Sequence, residues 1–486
     1  MFSLSDDKSK NDDFLGKGSY GCVYYPGIDC KGKKNTKKTV TKVQEINFYS
    51  QNEKKLGLYI KKNIKNFKNY FSPIIKVCVV KFDIIEKSDL NLKKCDTLFE
   101  DYNSKVTNVL NYTYDTDDSG DSGDITDSGD ITDSGNTLNK HVYNEYFLMY
   151  SYYIKNKSLK EYYSNITNYS DFVISILNNF SYLLSSLSLL NKVKIIHNDL
   201  HVNNILINLK TNKPVILDFG MSFKPSFCYK LNKNNIDFYT LKKFIFDFRL
   251  DHYHINIEKR FMCFCVYNTS EDFYSNIDSN DAVNLLTKTN VDFFIKDSYD
   301  SIVNNSEISE FFTNDELSEY KNALQQFYYK FYNKTDYPTY SSIVKYLLGF
   351  VHAYNDLYSL TIDLLYVYDN NRVLLENTRT SENQNYKILL DFFLQLYKKV
   401  LYPDPTMRLK INEVYNIYMF IVIYIKNIDI NISDETKYGA HFIIAFTKYL
   451  KSQSISIEVV FNKKFAFMNF NLLCTKTMFE FIKTNI

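Results

Sequence analysis

The chain has 486 residues, enough for one two-lobed enzyme with insertions or for two or three ordinary domains, and 45% of them are apolar. Its formal net charge of +2 carries no basic excess of the kind that nucleic acid or an anionic membrane selects. The polar, acidic start "MFSLSDDKSKNDD" is not a secretory signal, and "YMFIVIYI" at 418–425 is too short to span a bilayer, so a soluble cytoplasmic protein without a membrane span is expected.

The eight cysteines are scattered, with no Cys-x-x-Cys pair, and Cys263 and Cys265 stand too close for a standard zinc half-site. Reduced structural thiols are expected. The abundance of Asn, Lys, Ile and Tyr, with 43 Tyr and no Trp, matches AT-rich codons and reads as genome composition.

In chain order, "FLGKGSYGCVYYPG" (14–27) is β-rich with glycines in its middle. A dinucleotide turn would need a helix directly after Gly16, Gly18 and Gly21. Here "CVYYPG" continues as a strand, so the segment reads as strand, glycine loop, strand, whose backbone N–H groups can approach phosphates. "KGKKNTKK" (31–38) reads as a hairpin loop and "TVTKV" (39–43) as a short strand carrying Lys42. Residues 50–64 suit a short helix carrying Glu53, within reach of an ion pair to Lys42. Residues 72–85 read as a strand.

The composition then breaks. "TDDSGDSGDITDSGDITDSGN" (116–136) repeats Asp-Ser-Gly-Asp-Ile-Thr and has almost nothing to bury. It reads as a solvated, disordered insertion, with a calcium-binding repeat as the alternative because aspartates supply hard oxygen ligands. A strand resumes at 145–153. From Ser170, a plausible N-cap, to Leu190, apolar residues recur at three-four spacing through Phe172, Ile176, Phe180, Leu183 and Leu187, predicting a buried helix. "NILIN" (204–208) and "PVILDFG" (214–220) predict a hairpin, and 230–415 reads mainly as helices. Strands first and helices after predict an α+β protein in two lobes.

The chemistry concentrates in "HNDLHVNNIL" (197–206) and "DFG" (218–220). Asp199 is placed to accept or orient the proton of an attacking hydroxyl. Asn204, five residues on, and Asp218, fourteen further, are placed to hold magnesium against phosphates. Any one of the three could be an ordinary turn residue. Their joint spacing, with a glycine loop and a lysine upstream, is unlike chance.

These motifs resemble the eukaryotic-type protein kinases. "NDLYSL" (355–360) is similar to the family's Asp-x-Trp-Ser-Leu-Gly helix start, and "LYPDPTMR" (401–408) to its Asp-Pro-x-x-Arg element. The latter implies a buried carboxylate partner for Arg408, for which Glu258 in "INIE" is the candidate. The chain also resembles the serine/threonine kinases of large cytoplasmic DNA viruses in "GSYGCVYYP", "NDLYSL" and the long interval from Glu258 to Asp356, with an AT-rich protist as the other origin. The resemblance implies a kinase-like fold. Its β-rich N-lobe is 1–155 with an insertion at about 101–140, and its helical C-lobe is 156–415 with an insertion at about 260–350. An extension of unassigned role, 416–486, follows.

It further implies ATP and Mg2+ as cofactors, a protein substrate phosphorylated on Ser or Thr, and location in the host cytoplasm or virion if viral. Leu15, Gly16, Lys17, Gly18, Ser19, Tyr20, Gly21, Cys22 and Val23 would cover ATP, with Lys42 positioned by Glu53. Asp199 would be the base, and Asn204 and Asp218 the metal ligands. Two letters depart from the family pattern. Asn198 replaces the arginine that pairs with a phosphorylated activation loop, so loop phosphorylation is not expected to act through that pocket. His201 replaces the lysine beside the γ-phosphate, and an ordinary histidine, with pKa near ~6.5, is only partly charged at neutral pH. Both also resemble the loops of aminoglycoside and choline kinases. A small-molecule kinase and a pseudokinase are therefore the alternatives. The glycine loop, "NDLYSL" and Arg408 argue against the first, and intact Lys42, Asp199, Asn204 and Asp218 against the second.

Overall fold

A computed structural model describes residues 13–18, 21–35, 39–95, 145–230, 235–246, 255–267, 286–332, 336–372, 374, 381–427 and 435–455. The acidic repeat, Ser19, Tyr20 and the segment after 455 lie outside them. The chain is α+β and divides into two compact units. One comprises 1–68, 72–155 and 218–220, the other 69–71, 156–217 and 221–486. The division falls after 155, apart from the short segments 69–71 and 218–220.

The first unit is built on an antiparallel five-stranded sheet of order β1-β2-β3-β5-β4. Its strands are β1 (Phe14–Gly18), β2 (Gly21–Tyr24), β3 (Thr39–Glu45), β4 (Lys76–Lys81) and β5 (Glu145–Tyr152), with helix α1 (Phe48–Asn63) between β3 and β4. α1 starts at a capping box in which Asn47 and Ser50 satisfy each other's backbone N–H groups, which the helix itself leaves unpaired. The strand expected over 72–85 is shorter: Phe82 and Ile85 turn inward on a helical turn, Phe82–Glu86. Cys22, Tyr24, Val43, Val80, Phe82, Ile85, Leu148 and Tyr150 form a core on one face of the sheet.

Four cysteines correct the expectation of reduced thiols. Cys22–Cys95 and Cys30–Cys78 are disulfides, with Cα–Cα distances of 6.0 and 5.8 Å that suit the bond. The paired cysteines are 73 and 48 residues apart in sequence, and spacing alone does not reveal such pairs. Cys228, Cys263 and Cys265 are buried and take no part in either disulfide, and Cys474 lies outside the described residues.

The second unit begins with β6 (Asn156–Ser158) and is organised around α2 (Tyr169–Lys192). Phe172, Val173, Ile176, Leu177, Phe180, Leu183, Leu184 and Leu187 line its wholly buried face. Among the described residues α2 is the one helix long and apolar enough to cross a membrane, and this buried face accounts for its hydropathy. The N-cap is Asn168 rather than Ser170. Its Oδ1 accepts from the backbone N–H groups of Ser170 and Asp171, so the asparagine satisfies two donors at once.

After α2, β7 (Ile205–Asn208) and β8 (Lys213–Ile216) form the expected hairpin, with β6 completing a three-stranded sheet. The principal later helices are α3 (Ile257–Tyr267), α4 (Lys288–Val303), α5 (Asn314–Tyr328), α6 (Tyr340–Asp369), α7 (Ser381–Lys398) and α8 (Ile411–Asn427). The described part of the long insertion is thus helical. The boundary drawn at 415 falls inside α8, which packs on α2, so at least the start of the expected extension belongs to this unit.

Candidate active site

In the first unit the β1–β2 hairpin pairs Gly18 with Gly21. A side chain at 21 is impossible without movement, because its Cβ would lie 2.2 Å from the Val43 carbonyl oxygen. Leu15, Gly16, Lys17 and Gly18 lie on β1, and Gly21, Cys22 and Val23 on β2. Val23 pairs directly with Lys42 on β3.

Lys42 Nζ lies 2.8 Å from Glu53 Oε2 on α1 and 3.7 Å from Asp218 Oδ2. The expected Lys42–Glu53 pair is thus present, and Asp218 joins it. Burial alone would lower the Lys42 pKa, but the carboxylates of Asp218 and Glu53 outweigh it and raise the value, so the ammonium stays charged. Burial pushes the Glu53 carboxyl up to about 7, Lys42 pulls it back, and Asp218 adds to the rise.

Asp218 has left-handed backbone, φ +54°, which aspartate tolerates better than most residues. Its Oδ1 accepts from Gly220 N at 3.2 Å, and Oδ2 is the oxygen nearest Lys42. Asn52, the neighbour of Glu53, donates from Nδ2 to Gly220 O at 2.9 Å. One helix therefore holds Lys42 through Glu53 and the 218–220 turn through Asn52.

In the second unit the 197–204 loop is pinned along its length. Asp356 on α6 accepts the backbone N–H of His197 at 2.7 Å and of Asn198 at 2.9 Å, one on each oxygen. His197 Nε2 faces Leu217 O at 2.7 Å, and Ser222 Oγ donates to His197 O. Ile196 and Phe223 exchange backbone hydrogen bonds across an antiparallel bridge. Asp363, a further residue of α6, accepts Val202 N at 3.1 Å.

Within this frame Asn204 Nδ2 donates to Asp199 O at 2.8 Å and to Asp199 Oδ2 at 3.2 Å. These contacts fix the base candidate and turn the Asn204 Oδ1 away from them. Asn204 N and Leu217 N close the turn through His201 O and Asn204 O. His201 Nδ1 caps the turn that follows by accepting Asn203 N at 3.2 Å, and its Nε2 lies 3.8 Å from Asp199 Oδ1. Its Nε2 also lies 3.2 Å from Asn204 Nδ2, so both ring nitrogens face N–H groups of the same loop.

Among the described residues no group of three His, Cys, Asp or Glu side chains forms a metal cluster. Magnesium does not require one, since it retains several waters and takes one or two protein oxygens beside substrate phosphates. Asn204 Oδ1 and the Asp218 carboxylate are each hard oxygen donors of the kind that suits the ion.

Arg408 completes the expected set of residues elsewhere in the second unit. Its Nη1 and Nη2 donate to Glu258 Oε2 and Oε1 at 2.9 and 2.8 Å, with both side chains fully buried.

No protein-family model matches the chain, and no curated protein matches it. Sequence reasoning did not single out Asn52, Lys259 or Asp363. It marked Asp356 only as a motif letter. All four act on partners distant in the chain, and no local spacing announces such contacts.

Proposed function

We propose that the protein is an ATP- and Mg2+-dependent protein kinase that transfers the γ-phosphate to Ser or Thr hydroxyls. The observation that carries this reading is Lys42, buried and charged between Glu53 at 2.8 Å and Asp218 at 3.7 Å. A lysine so held is pre-positioned for phosphate oxygens and loses little freedom on binding. Asp199, steadied by Asn204, accepts the hydroxyl proton as the nucleophile attacks. The β1–β2 hairpin covers the phosphates with backbone N–H groups. Asn204 and Asp218 are the oxygen donors that this reading assigns to magnesium, which would neutralise charge on the transferring phosphoryl group.

The test is transfer from labelled ATP to a panel of protein and small-molecule acceptors, with Asp218→Asn alongside. Label on Ser or Thr of a protein acceptor, lost in the Asp218→Asn variant at unchanged melting temperature, is expected. Transfer to small molecules alone would replace the substrate class. Near wild-type transfer by the variant would refute the metal assignment.

A further inference from the structure

Three consecutive buried residues at the start of α3 each make a polar side-chain contact. Glu258 binds Arg408, and Arg260 donates to Ser301 Oγ at 2.7 Å and Asp297 at 3.0 Å on α4. Between them stands Lys259, whose backbone N–H is capped by Asn256 Oδ1 at 3.0 Å. The side chain of Lys259 is fully buried, and its Nζ donates to Asn198 Oδ1 at 2.8 Å. A lysine is almost never fully buried without a reason, because the charged head loses its hydration.

Asn198 immediately precedes Asp199. Its backbone is left-handed, φ +69°, a conformation open to asparagine but one that needs support. That support comes from four sides. The backbone N–H goes to Asp356 Oδ1, and the amide Nδ2 donates to Met221 O at 3.0 Å and Phe244 O at 2.8 Å. With both amide hydrogens used, Oδ1 is left as acceptor, and Lys259 takes it. Without that donor a buried amide oxygen would lose its hydrogen bond beside a residue held in an uncommon conformation.

We infer that Lys259 is a positioning residue for Asp199, acting through Asn198 to hold the 197–204 loop in its working shape. The charge balance agrees with the geometry. Burial pulls the Lys259 ammonium down to about 7, while Cys263, Asp199 and Asp356 raise it, so both the base candidate and the carboxylate that anchors the loop favour its charged form. The side-chain partner of Asn198 Oδ1 is thus a lysine of the chain itself.

The catalytic part of this inference rests on the kinase reading; the positioning part does not, and the experiment separates them. Lys259→Met removes the charge and the hydrogen bond while keeping an unbranched side chain. Hydrogen exchange measured by mass spectrometry on peptides over 195–206 is expected to speed up roughly tenfold or more, as local opening becomes easier. In the transfer assay kcat is expected to fall roughly a hundredfold, with the KM for ATP nearly unchanged, as for a misplaced base. Lys259→Gln, which keeps a donor without the charge on a shorter side chain, serves if the methionine variant does not fold, and is expected to speed exchange and lower kcat in the same direction by a smaller factor. Wild-type exchange and wild-type kcat in the folded variant overturn the inference. If the wild type transfers no phosphate the kinase reading falls, and the exchange rates alone decide whether Lys259 holds the loop.

Discussion

Replacing Arg408 by methionine removes one half of a bidentate ion pair from a place without water. Both side chains are 0% exposed, and the two N–H···O contacts to Glu258 measure 2.9 and 2.8 Å. After the change Glu258 keeps only a weak contact to Tyr328 OH at 3.5 Å. A buried carboxylate left without its cation costs about 3–5 kcal/mol in stability. Glu258→Leu should cost a similar amount from the other side, since the guanidinium then has only carbonyl acceptors, Tyr402 O and Pro403 O. The double variant Glu258→Leu/Arg408→Met removes both charges, so its loss should fall short of the sum of Glu258→Leu and Arg408→Met by roughly 3 kcal/mol. The chain has no tryptophan, so urea unfolding is best followed by circular dichroism. Losses that add to within ~0.5 kcal/mol would mean that the two groups do not stabilise each other, and the assigned pair would be refuted.

Three further outcomes are expected. Lys42→Met should abolish transfer and should destabilise more at pH 8 than at pH 5. Glu53, raised by burial to about 7 from an ordinary 4.5, stabilises the fold below its unfolded value and loses that contribution as pH rises through about 7; removing the cation deepens this loss. Equal melting-temperature shifts at the two pH values would contradict it. For His201, a charge role predicts that His201→Lys preserves or raises kcat at pH 8 while His201→Ala lowers it, whereas the capping contact to Asn203 N predicts that both variants lose activity at every pH; kcat against pH for the three proteins distinguishes them. Alkylation and mass spectrometry of the unreduced protein should find Cys22–Cys95 and Cys30–Cys78 protected, and reduction should destabilise the first unit by up to ~4 kcal/mol for each bridge on chain-entropy grounds. Full alkylation without reductant would refute the pairing.

The parts of the fold that were legible are those fixed by short-range geometry. The buried face of α2 follows from three-four spacing, and the β7–β8 hairpin from two apolar runs around a polar turn. The Asp199–Asn204 contact spans five residues, a distance one tight turn can close. Lys42–Glu53 was also within reach, since eleven residues join a strand to the helix after it. By contrast, Asn52 meets Gly220 across 168 residues, and Asp356 meets His197 across 159. Such partners depend on how helices and sheets pack, and no periodicity encodes that.

The short-range part supplies the groups that would do chemistry, and the long-range part sets where they point. Asn198 shows the dependence most directly. Read alone, it is a departure from a familiar pattern at a left-handed position. Its side chain instead ties together Met221, Phe244 and Lys259 while its backbone binds Asp356. An arginine there could not accept from a lysine, and a fully buried second cation would face the first across a hydrogen-bond distance. Asn198 and Lys259 are therefore one choice made at two positions 61 residues apart, and either letter makes physical sense only in the presence of the other.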